Sequence, residues 1–480
     1  MVALVWLPVV VPVLIAGAAV MARGRRWTRL ADLVVAVLVL TCGVGLVASV
    51  QRSGTVSAVG GLLRADAFAA FMLAVIGAVA VTALWGGLPT PTSTVKPDGR
   101  YAALVALFLG AMSLAVLADN LGVVWVAVEA TTIATAFLVG HHGGRAALEA
   151  AWKYVVLGSV GVAIALLGIV LLYAAARSAG SPTLSWAELV ALGPSLDPGL
   201  ARIAVALAAL GFATKAGLAP LHSWLPDAHS QAPAPVSALM SGVLLSVAFS
   251  AILRVQAVSE ATLGPTFMRG LLVVGGLLSL AIAAGLMLAQ RDYKRLLAYS
   301  SIEHMGILAL GAAVGGPLAT AAVLLHVLGH GLSKAVMFVV AGRILDDAGS
   351  TKIEDVHALL ARRPDVARPF LAGSAALLGL PPFVLFFTEV AIVFAGWSRG
   401  LGWAMGIALL LLLVVFVGFG RHVLAMTMGP PADGPSSAGG PAGRRLPLVL
   451  ALSVTAVFGF AAWPLAPVVE AAAAALGGLS

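Results

Sequence analysis

Long apolar runs recur along the whole chain and constrain its fold more than any other feature. About 20 apolar residues in a row match the length that an α-helix needs to cross the hydrocarbon core of a bilayer, and about fourteen such runs are present. They lie near 3–21, 30–50, 67–86, 101–118, 121–140, 154–176, 202–219, 235–257, 269–289, 295–314, 317–342, 369–396, 402–428 and 446–468. The sequence therefore predicts an all-α polytopic membrane protein with about 14 transmembrane helices.

Composition agrees with a lipid environment. Of the 480 residues, 61% are hydrophobic and 10% are charged, and the mean hydropathy is +1.06. A soluble domain is not this apolar. The longest connections, near 177–200, 343–368 and the linker-like GPPADGPSSAGGPAGRR, are too short to hold a soluble catalytic domain.

The formal charge of +8 is interpreted as a topology signal. If the loop with Arg23, Arg25, Arg26 and Arg29 faces the cytoplasm, alternate loops carry most of the 28 Lys and Arg residues. Both termini then face the outer side of the cell's inner (plasma) membrane. Because the basic residues are dispersed over short loops, we expect no nucleic-acid partner.

One predicted membrane helix carries three titratable side chains on a single stripe. The segment LLHVLGHGLSK places His326, His330 and Lys334 at i, i+4 and i+8, over roughly 12 Å of helix. Ionisable groups at this depth are costly and usually mark an ion pathway. The alternative is neutral histidines bonded to neighbouring helices, with Lys334 snorkelling to the surface. Snorkelling is costly because the apolar run AVMFVVAG follows Lys334.

Glu129, Lys215 and Glu389 also lie within apolar runs, several residues from any charged flank. Burial disfavours the charged form of both residue types, which brings them toward the range where protons exchange. A Glu and Lys pair can act as a switch, since separating the two favours release of the lysine proton. The alternative is a static buried ion pair that only fixes packing.

Two predicted helices are interrupted by glycine and proline. The seventh predicted membrane helix contains KAGLAP from Lys215, and the twelfth contains GLPP from Gly379. Broken helices at equivalent places in two halves indicate an inverted repeat around an ion site. We therefore expect two inverted five-helix repeats, helices 4–8 and 9–13. An ordinary proline kink is the alternative for either break alone. The predicted regions are helices 1–3 in 1–100, the repeats in 101–257 and 258–428, and a linker with a C-terminal helix in 429–480.

Metal-ligating residues are few. The single cysteine, Cys42, lies within an apolar run and is interpreted as a buried inert thiol. His222, Asp227 and His229 in LHSWLPDAHS are loosely spaced for metal ligands, and a loop at the membrane edge is the favoured interpretation. We expect no metal and no cofactor in this chain.

Three longer runs make a family resemblance specific. KAGLAPLHSWLPDAHSQAPAPVSALMSGVLL, RDYKRLLAYSSIEHMGILALG and HVLGHGLSK resemble the antiporter-like subunits shared by respiratory complex I, energy-converting membrane-bound hydrogenases and Mrp-type cation/proton antiporters. Together with WVAVEATT and AALEAAWKY, the IEHMG form most resembles component F of the hydrogenase-4 and formate hydrogenlyase group. The resemblance implies fourteen helices, two inverted repeats and a row of hydrated polar residues at mid-membrane.

The resemblance also implies roles for individual residues. Glu129 matches the fifth-helix glutamate, Lys215 the seventh-helix lysine and Glu389 the acidic residue after the broken twelfth helix. His326, His330 and Lys334 match the connecting group of the eleventh helix. The chain departs from the family pattern at two accessory places. It has Met240 and Ser241 where many complex I members have a histidine, and it has Glu303 and His304 where small polar residues are common. The bridge from Lys215 to Lys334 would then rely on water, on Ser241 or on another residue. The Glu303 and His304 pair either adds a site in the tenth helix or has a surface or packing role.

The implied function is proton translocation by a non-redox subunit of a multi-subunit redox complex in the inner membrane of a bacterium or archaeon. The complex would resemble a NiFe hydrogenase, a formate hydrogenlyase or a complex I-like NADH-quinone oxidoreductase, with NiFe and iron–sulfur centres in partner subunits. The expected partners are other membrane subunits, peripheral redox subunits and the lipid bilayer. The alternatives are a subunit of an Mrp-type Na⁺(K⁺)/H⁺ antiporter, a membrane partner in inorganic-carbon uptake, and a structural anchor whose charges do not conduct.

Overall fold

The structure is a computed structural model that describes residues 1–21, 27–88, 98–429 and 444–476. Almost all of the described chain is helical. The helices are α1 (Val2–Met21), α2 (Thr28–Ser53), α3 (Ala67–Gly86), α4 (Gly99–Leu117), α5 (Leu121–Val139), α6 (Arg145–Ser178), α7 (Trp186–Leu192), α8 (Pro198–Ala216), α9 (Trp224–Gln231), α10 (Ala234–Leu239), α11 (Leu245–Leu263), α12 (Pro265–Leu288), α13 (Tyr293–Val314), α14 (Gly316–Ala348), α15 (Leu359–Arg362), α16 (Pro364–Leu377), α17 (Val384–Ser398), α18 (Gly402–Thr427), α19 (Leu446–Phe460) and α20 (Ala466–Ala475). One antiparallel hairpin, β1 (Val56–Ala58) with β2 (Leu63–Ala65), joins α2 to α3.

Twelve helices of the described ranges are long and apolar enough to cross a membrane, and a bent pair raises the number to 13. The multi-pass fold predicted from the apolar runs is thus confirmed. The remaining predicted span, 369–396, is divided into α16 and α17. The bent pair is α19 and α20, which meet at 88°, so the run 446–468 is not one straight helix. The count of fourteen stays a prediction, and most of the linker-like segment lies outside the described residues.

Polar caps determine where several apolar helices begin. The Asn120 side chain accepts a hydrogen bond from the Gly122 amide at 2.9 Å before α5. Asp197 accepts from Leu200 at 2.7 Å before α8, and Asp292 accepts from Arg295 at 2.9 Å before α13. These side chains satisfy amide groups that have no partner within the first helical turn. The caps fix the start, and hence the register, of helices that carry the buried charges.

Both predicted interruptions are confirmed. Helix α8 ends at Ala216 and α9 begins at Trp224, while α16 ends at Leu377 and α17 begins at Val384. Gly217 and Gly379 leave the helices with φ of +76° and +59°, a conformation that favours glycine. Each break also contains a cis peptide bond before a proline. Backbone of this kind is tolerated at membrane depth only where protein or water covers it.

The central helices are α11, α13 and α14, whose residues are almost all buried. The peripheral helices expose apolar side chains instead, for example Leu14 at 65% and Phe394 at 66%. A π-helical turn, Met240–Leu244, lies between α10 and α11. Apolar side chains face outward and buried charges lie inside, as expected for a protein with lipid as its solvent.

Candidate functional site

The Lys215 ammonium lies at the end of α8 and is fully buried. It donates a 2.7 Å hydrogen bond to Thr132 Oγ1 of α5 and another to the Tyr154 hydroxyl of α6. The Tyr154 ring centre lies 4.3 Å from the ammonium nitrogen, a cation–π distance. Three helices therefore hold one buried cation with neutral partners.

Thr132 also connects Lys215 to Glu129. The Thr132 hydroxyl lies 3.4 Å from Glu129 Oε2 and 3.3 Å from the Val128 carbonyl, and it has one hydrogen to donate. The other Glu129 carboxylate oxygen accepts from Ser159 Oγ at 2.6 Å. Glu129 and Lys215, which the sequence predicted as a pair, thus share one hydroxyl and form no direct ion pair in the described structure.

Lys334 is the second fully buried ammonium. It donates to the Leu297 carbonyl at 2.8 Å and to the Ser300 hydroxyl, both on α13. Snorkelling is therefore excluded for this side chain in the structure. The stripe of titratable groups on α14 faces α13, since His326 and His330 also contact His304 of that helix.

A chain of polar side chains crosses from α13 through α14 to α17. His304 Nδ1 lies 3.1 Å from His326 Nε2, and His326 Nδ1 lies 2.9 Å from Thr388 Oγ1. The Thr388 hydroxyl donates its hydrogen to the Leu385 carbonyl at 2.9 Å, so His326 Nδ1 is assigned as the donor to Thr388. With both rings neutral, His304 Nδ1 then donates to His326 Nε2, and His304 Nε2 carries a free lone pair.

Two carboxyl groups lie beside this chain. Glu303 Oε2 is 3.8 Å from His304 Nε2, and Glu303 and Glu389 both line a cavity of about 590 Å³. The cavity is otherwise apolar and is bounded by α17 and α18 side chains such as Val393 and Leu412. A Cβ at position 379 would lie 2.5 Å from Glu389 Oε2, so glycine at the break leaves room for the carboxylate.

Ser241 lies in the π-helical turn, where the family resemblance placed a histidine in other members. Its hydroxyl is 2.7 Å from Ser301 Oγ of α13, and both residues are buried. π-Helical turns often mark functional sites. Ser241 is thus in a polar contact with the helix that also carries Glu303 and His304.

The interpretation of LHSWLPDAHS as a loop at the membrane edge is wrong for its second half. Trp224–Gln231 is helix α9, and Pro226 lies in its first turn, where a missing N–H leaves no intrahelical bond unmade. His229 is fully buried, and its ring stacks on Phe338 of α14 with the centroids 5.2 Å apart. Neither ring nitrogen has a hydrogen-bond partner among the described residues. Asp227 instead forms ion pairs with Arg295 and with Lys153, the latter at 3.3 Å.

Sequence reasoning missed Thr132 and Tyr154 and placed His229 in a loop. The WVAVEATT run placed a threonine one turn after Glu129, which was the available signal for Thr132. Tyr154 reaches Lys215, and His229 reaches the helix that carries Lys334, only through tertiary packing. In the described ranges, no direct hydrogen bond joins the Lys215 group to the Lys334 group, so a continuous path between them requires water or a moving side chain.

These features define a class of protein, namely a multi-pass membrane protein with buried lysines and histidines and with carboxylates beside them between its helices. Residues 118–415 match the family model described as NADH:quinone oxidoreductase/Mrp antiporter, TM. The hydrogenase-4 component F homolog of Methylacidiphilum infernorum is 38% identical over 67% of this chain and 70% of its own length. The chain belongs to the NADH:quinone oxidoreductase/Mrp antiporter family, and the predicted resemblance is confirmed.

Solved structures show the same fold. A chain of the archaeal membrane-bound sulfane sulfur reductase superimposes with a TM-score of 0.88 at 24% identity, with 99% of both chains covered. A chain of the Mrp complex from Dietzia sp. gives a TM-score of 0.87 at 22% identity and covers 99% of this chain and 98% of its own length. The antiporter-like fold therefore extends over almost the whole chain.

Proposed function

We propose that this chain is a proton-translocating subunit of a multi-subunit redox complex. The complex would be most like a membrane-bound NiFe hydrogenase, a formate hydrogenlyase or a complex I-like oxidoreductase. Redox chemistry, with NiFe and iron–sulfur centres, belongs to partner subunits in this proposal. The relative named hydrogenase-4 component F supports it, and the single observation that carries it is the Thr132 hydroxyl between Glu129 and Lys215.

The shared hydroxyl gives the pair a switch. When Thr132 donates to Glu129, one hydroxyl links the carboxylate to the ammonium of Lys215. When Thr132 donates to the Val128 carbonyl instead, that hydrogen-bonded link is lost, although Glu129 stays in place. A weaker link between a buried cation and its countercharge favours the neutral form of the cation. A conformational or electrostatic signal from partner subunits would select between these two arrangements.

The proton then passes through internal water toward Lys334. His229 is well suited to the gap because it is buried, has two unpaired nitrogens and packs on the same helix as Lys334. His330, His304 and His326 continue the path to Thr388, and Glu389, with Glu303 beside it, handles exit through the neighbouring cavity. Ser241 with Ser301 is an accessory polar contact on this route.

We also propose the arrangement of the chain around this path. Residues 101–257 and 258–428 form inverted repeats, each with one broken helix, flanked by the regions 1–100 and 429–480. The complex would lie in the inner membrane of a bacterium or archaeon with both termini outside. The two breaks at 217–223 and 378–383 support the repeat.

Replacing Lys215 with alanine tests the function. The complex containing K215A is expected to assemble but to lose proton translocation in reconstituted vesicles, because the buried proton donor is removed. The matched control is Thr131→Val, whose hydroxyl bonds only within its own helix, to the Val128 carbonyl. Unchanged pumping by K215A would remove Lys215 from the path.

Sodium-dependent proton flux would instead favour an Na⁺(K⁺)/H⁺ antiporter subunit. Mutations at Lys215 and Lys334 that disturb only assembly would favour a structural anchor.

A further inference from the structure

His304, His326 and Glu389 form a cluster that the proton path does not fully explain. They come from α13, α14 and α17, and one ligand atom from each lies within 4.8 Å of the other two. Two imidazole nitrogens and a carboxylate oxygen form a donor set that zinc favours in open sites. The two imidazoles are already close, with His304 Nδ1 and His326 Nε2 only 3.1 Å apart.

The unpaired nitrogen of His304 is the second observation. Its Nε2 atom is buried and has no hydrogen-bond partner among the residues described. An ion held between His304 Nδ1 and His326 Nε2 would replace the hydrogen bond between them and leave the ring proton of His304 on Nε2, which faces Glu303 Oε2 at 3.8 Å. The neighbouring His326 ring is oriented through Thr388 at 2.9 Å, as is usual for a metal-binding imidazole.

Charge and space also suit a divalent cation. Glu303 and Glu389 line one cavity, and no Lys or Arg of the described chain forms a salt bridge with either. Two carboxylates balance the charge of one divalent ion, which lowers the cost of holding it inside the protein. The cavity of about 590 Å³ leaves room beside Glu389 for a remaining water ligand.

We propose that His304, His326 and Glu389 bind a divalent transition-metal ion of the zinc class, with Glu303 as a neighbouring charge. Nitrogen ligands favour this class over magnesium or calcium, which prefer oxygen. A second part of the proposal rests on the proposed function. A bound ion would replace the hydrogen bond between His304 and His326 that the path uses, so occupancy would block the path.

Zinc content tests the site without reference to pumping. The purified complex would be treated with a chelator, equilibrated with buffered zinc and analysed by elemental mass spectrometry. The wild-type complex is expected to bind one more zinc ion than the complex with the double variant His304→Gln and His326→Gln. Subtracting the two zinc contents removes the contribution of metals held by partner subunits. Glu389→Gln should weaken zinc binding by about tenfold or more. The control His357→Gln, at an exposed loop position, should bind like wild type. Equal zinc in the wild type and the double variant would overturn the site.

Proton flux tests the blocking role. Zinc at concentrations that fill the site should stop proton translocation by the wild-type complex in vesicles, and a chelator should restore it. Full occupancy with unchanged flux would overturn the blocking role. Pumping by K215A, in contrast, would refute the proposed path while leaving the zinc measurement intact.

Discussion

Thr132→Val is the substitution that most sharply separates a switch from a static packing arrangement. Valine has nearly the same shape as threonine but lacks the hydroxyl that lies 2.7 Å from Lys215 Nζ and 3.4 Å from Glu129 Oε2. The variant should assemble, because valine fills nearly the same volume at this buried position and Lys215 keeps its hydrogen bond to the Tyr154 hydroxyl. It should nevertheless lose the link between the two charges.

The size of the effect follows from the bonds that disappear. A hydrogen bond to a charged group contributes about 1.5–3 kcal/mol, and each 1.4 kcal/mol corresponds to about a factor of ten. The 3.4 Å contact to Glu129 is long and adds less. Loss of the Lys215 bond therefore predicts a drop in proton translocation of about ten- to a hundredfold.

The assay is proton uptake by vesicles that contain the complex, driven by its own redox substrates and normalised to redox turnover. Thr131→Val is the matched control, because that hydroxyl bonds only to the Val128 carbonyl of the same helix, at 2.6 Å. Equal pumping by the two valine variants would refute the role given to the Thr132 hydroxyl.

Three further substitutions test other parts of the structure. Arg254→Met should lower the thermal stability of the complex, because Arg254 donates to three carbonyl groups at the end of α4. Each carbonyl left without a donor costs about 1–3 kcal/mol, and an unchanged melting temperature would contradict this. Gly379→Ala should reduce pumping without loss of assembly, since a Cβ there would lie 2.5 Å from Glu389 Oε2, and wild-type flux would show that the carboxylate tolerates displacement. His229→Phe should preserve stacking on Phe338 but slow proton transfer, and wild-type rates would exclude His229 as a relay.

Bilayer thickness explains why so much of the fold could be predicted from the sequence. A helix must supply about 20 apolar residues to cross the hydrocarbon core, so the runs mark the spans directly. Hydropathy does not mark where a helix stops outside the core. Helix α14 was predicted to end near 342 but continues to Ala348, and α6 begins at Arg145 instead of 154. The 88° bend between α19 and α20 likewise leaves the apolar run unbroken.

The candidate site could be predicted in part, because charges inside apolar runs are visible one residue at a time. Spacing placed His326, His330 and Lys334 on one stripe, and the structure shows that this stripe faces α13. Tyr154, which bonds Lys215, and His229, which packs on the helix that carries Lys334, could not be predicted, since both come from other helices. His229 lies in a polar stretch that resembles a loop, and only the packing of α9 against α14 shows it to be buried.

The number of protons moved per electron pair by the reconstituted complex tests the central claim most directly. Lys334→Met removes the second buried ammonium, while Ser333→Ala changes the adjacent buried residue, whose hydroxyl has no partner in the described structure. A lower ratio for Lys334→Met than for Ser333→Ala, with redox turnover retained, is the result expected if protons travel between these helices. The same ratio in wild type and both variants would contradict the account.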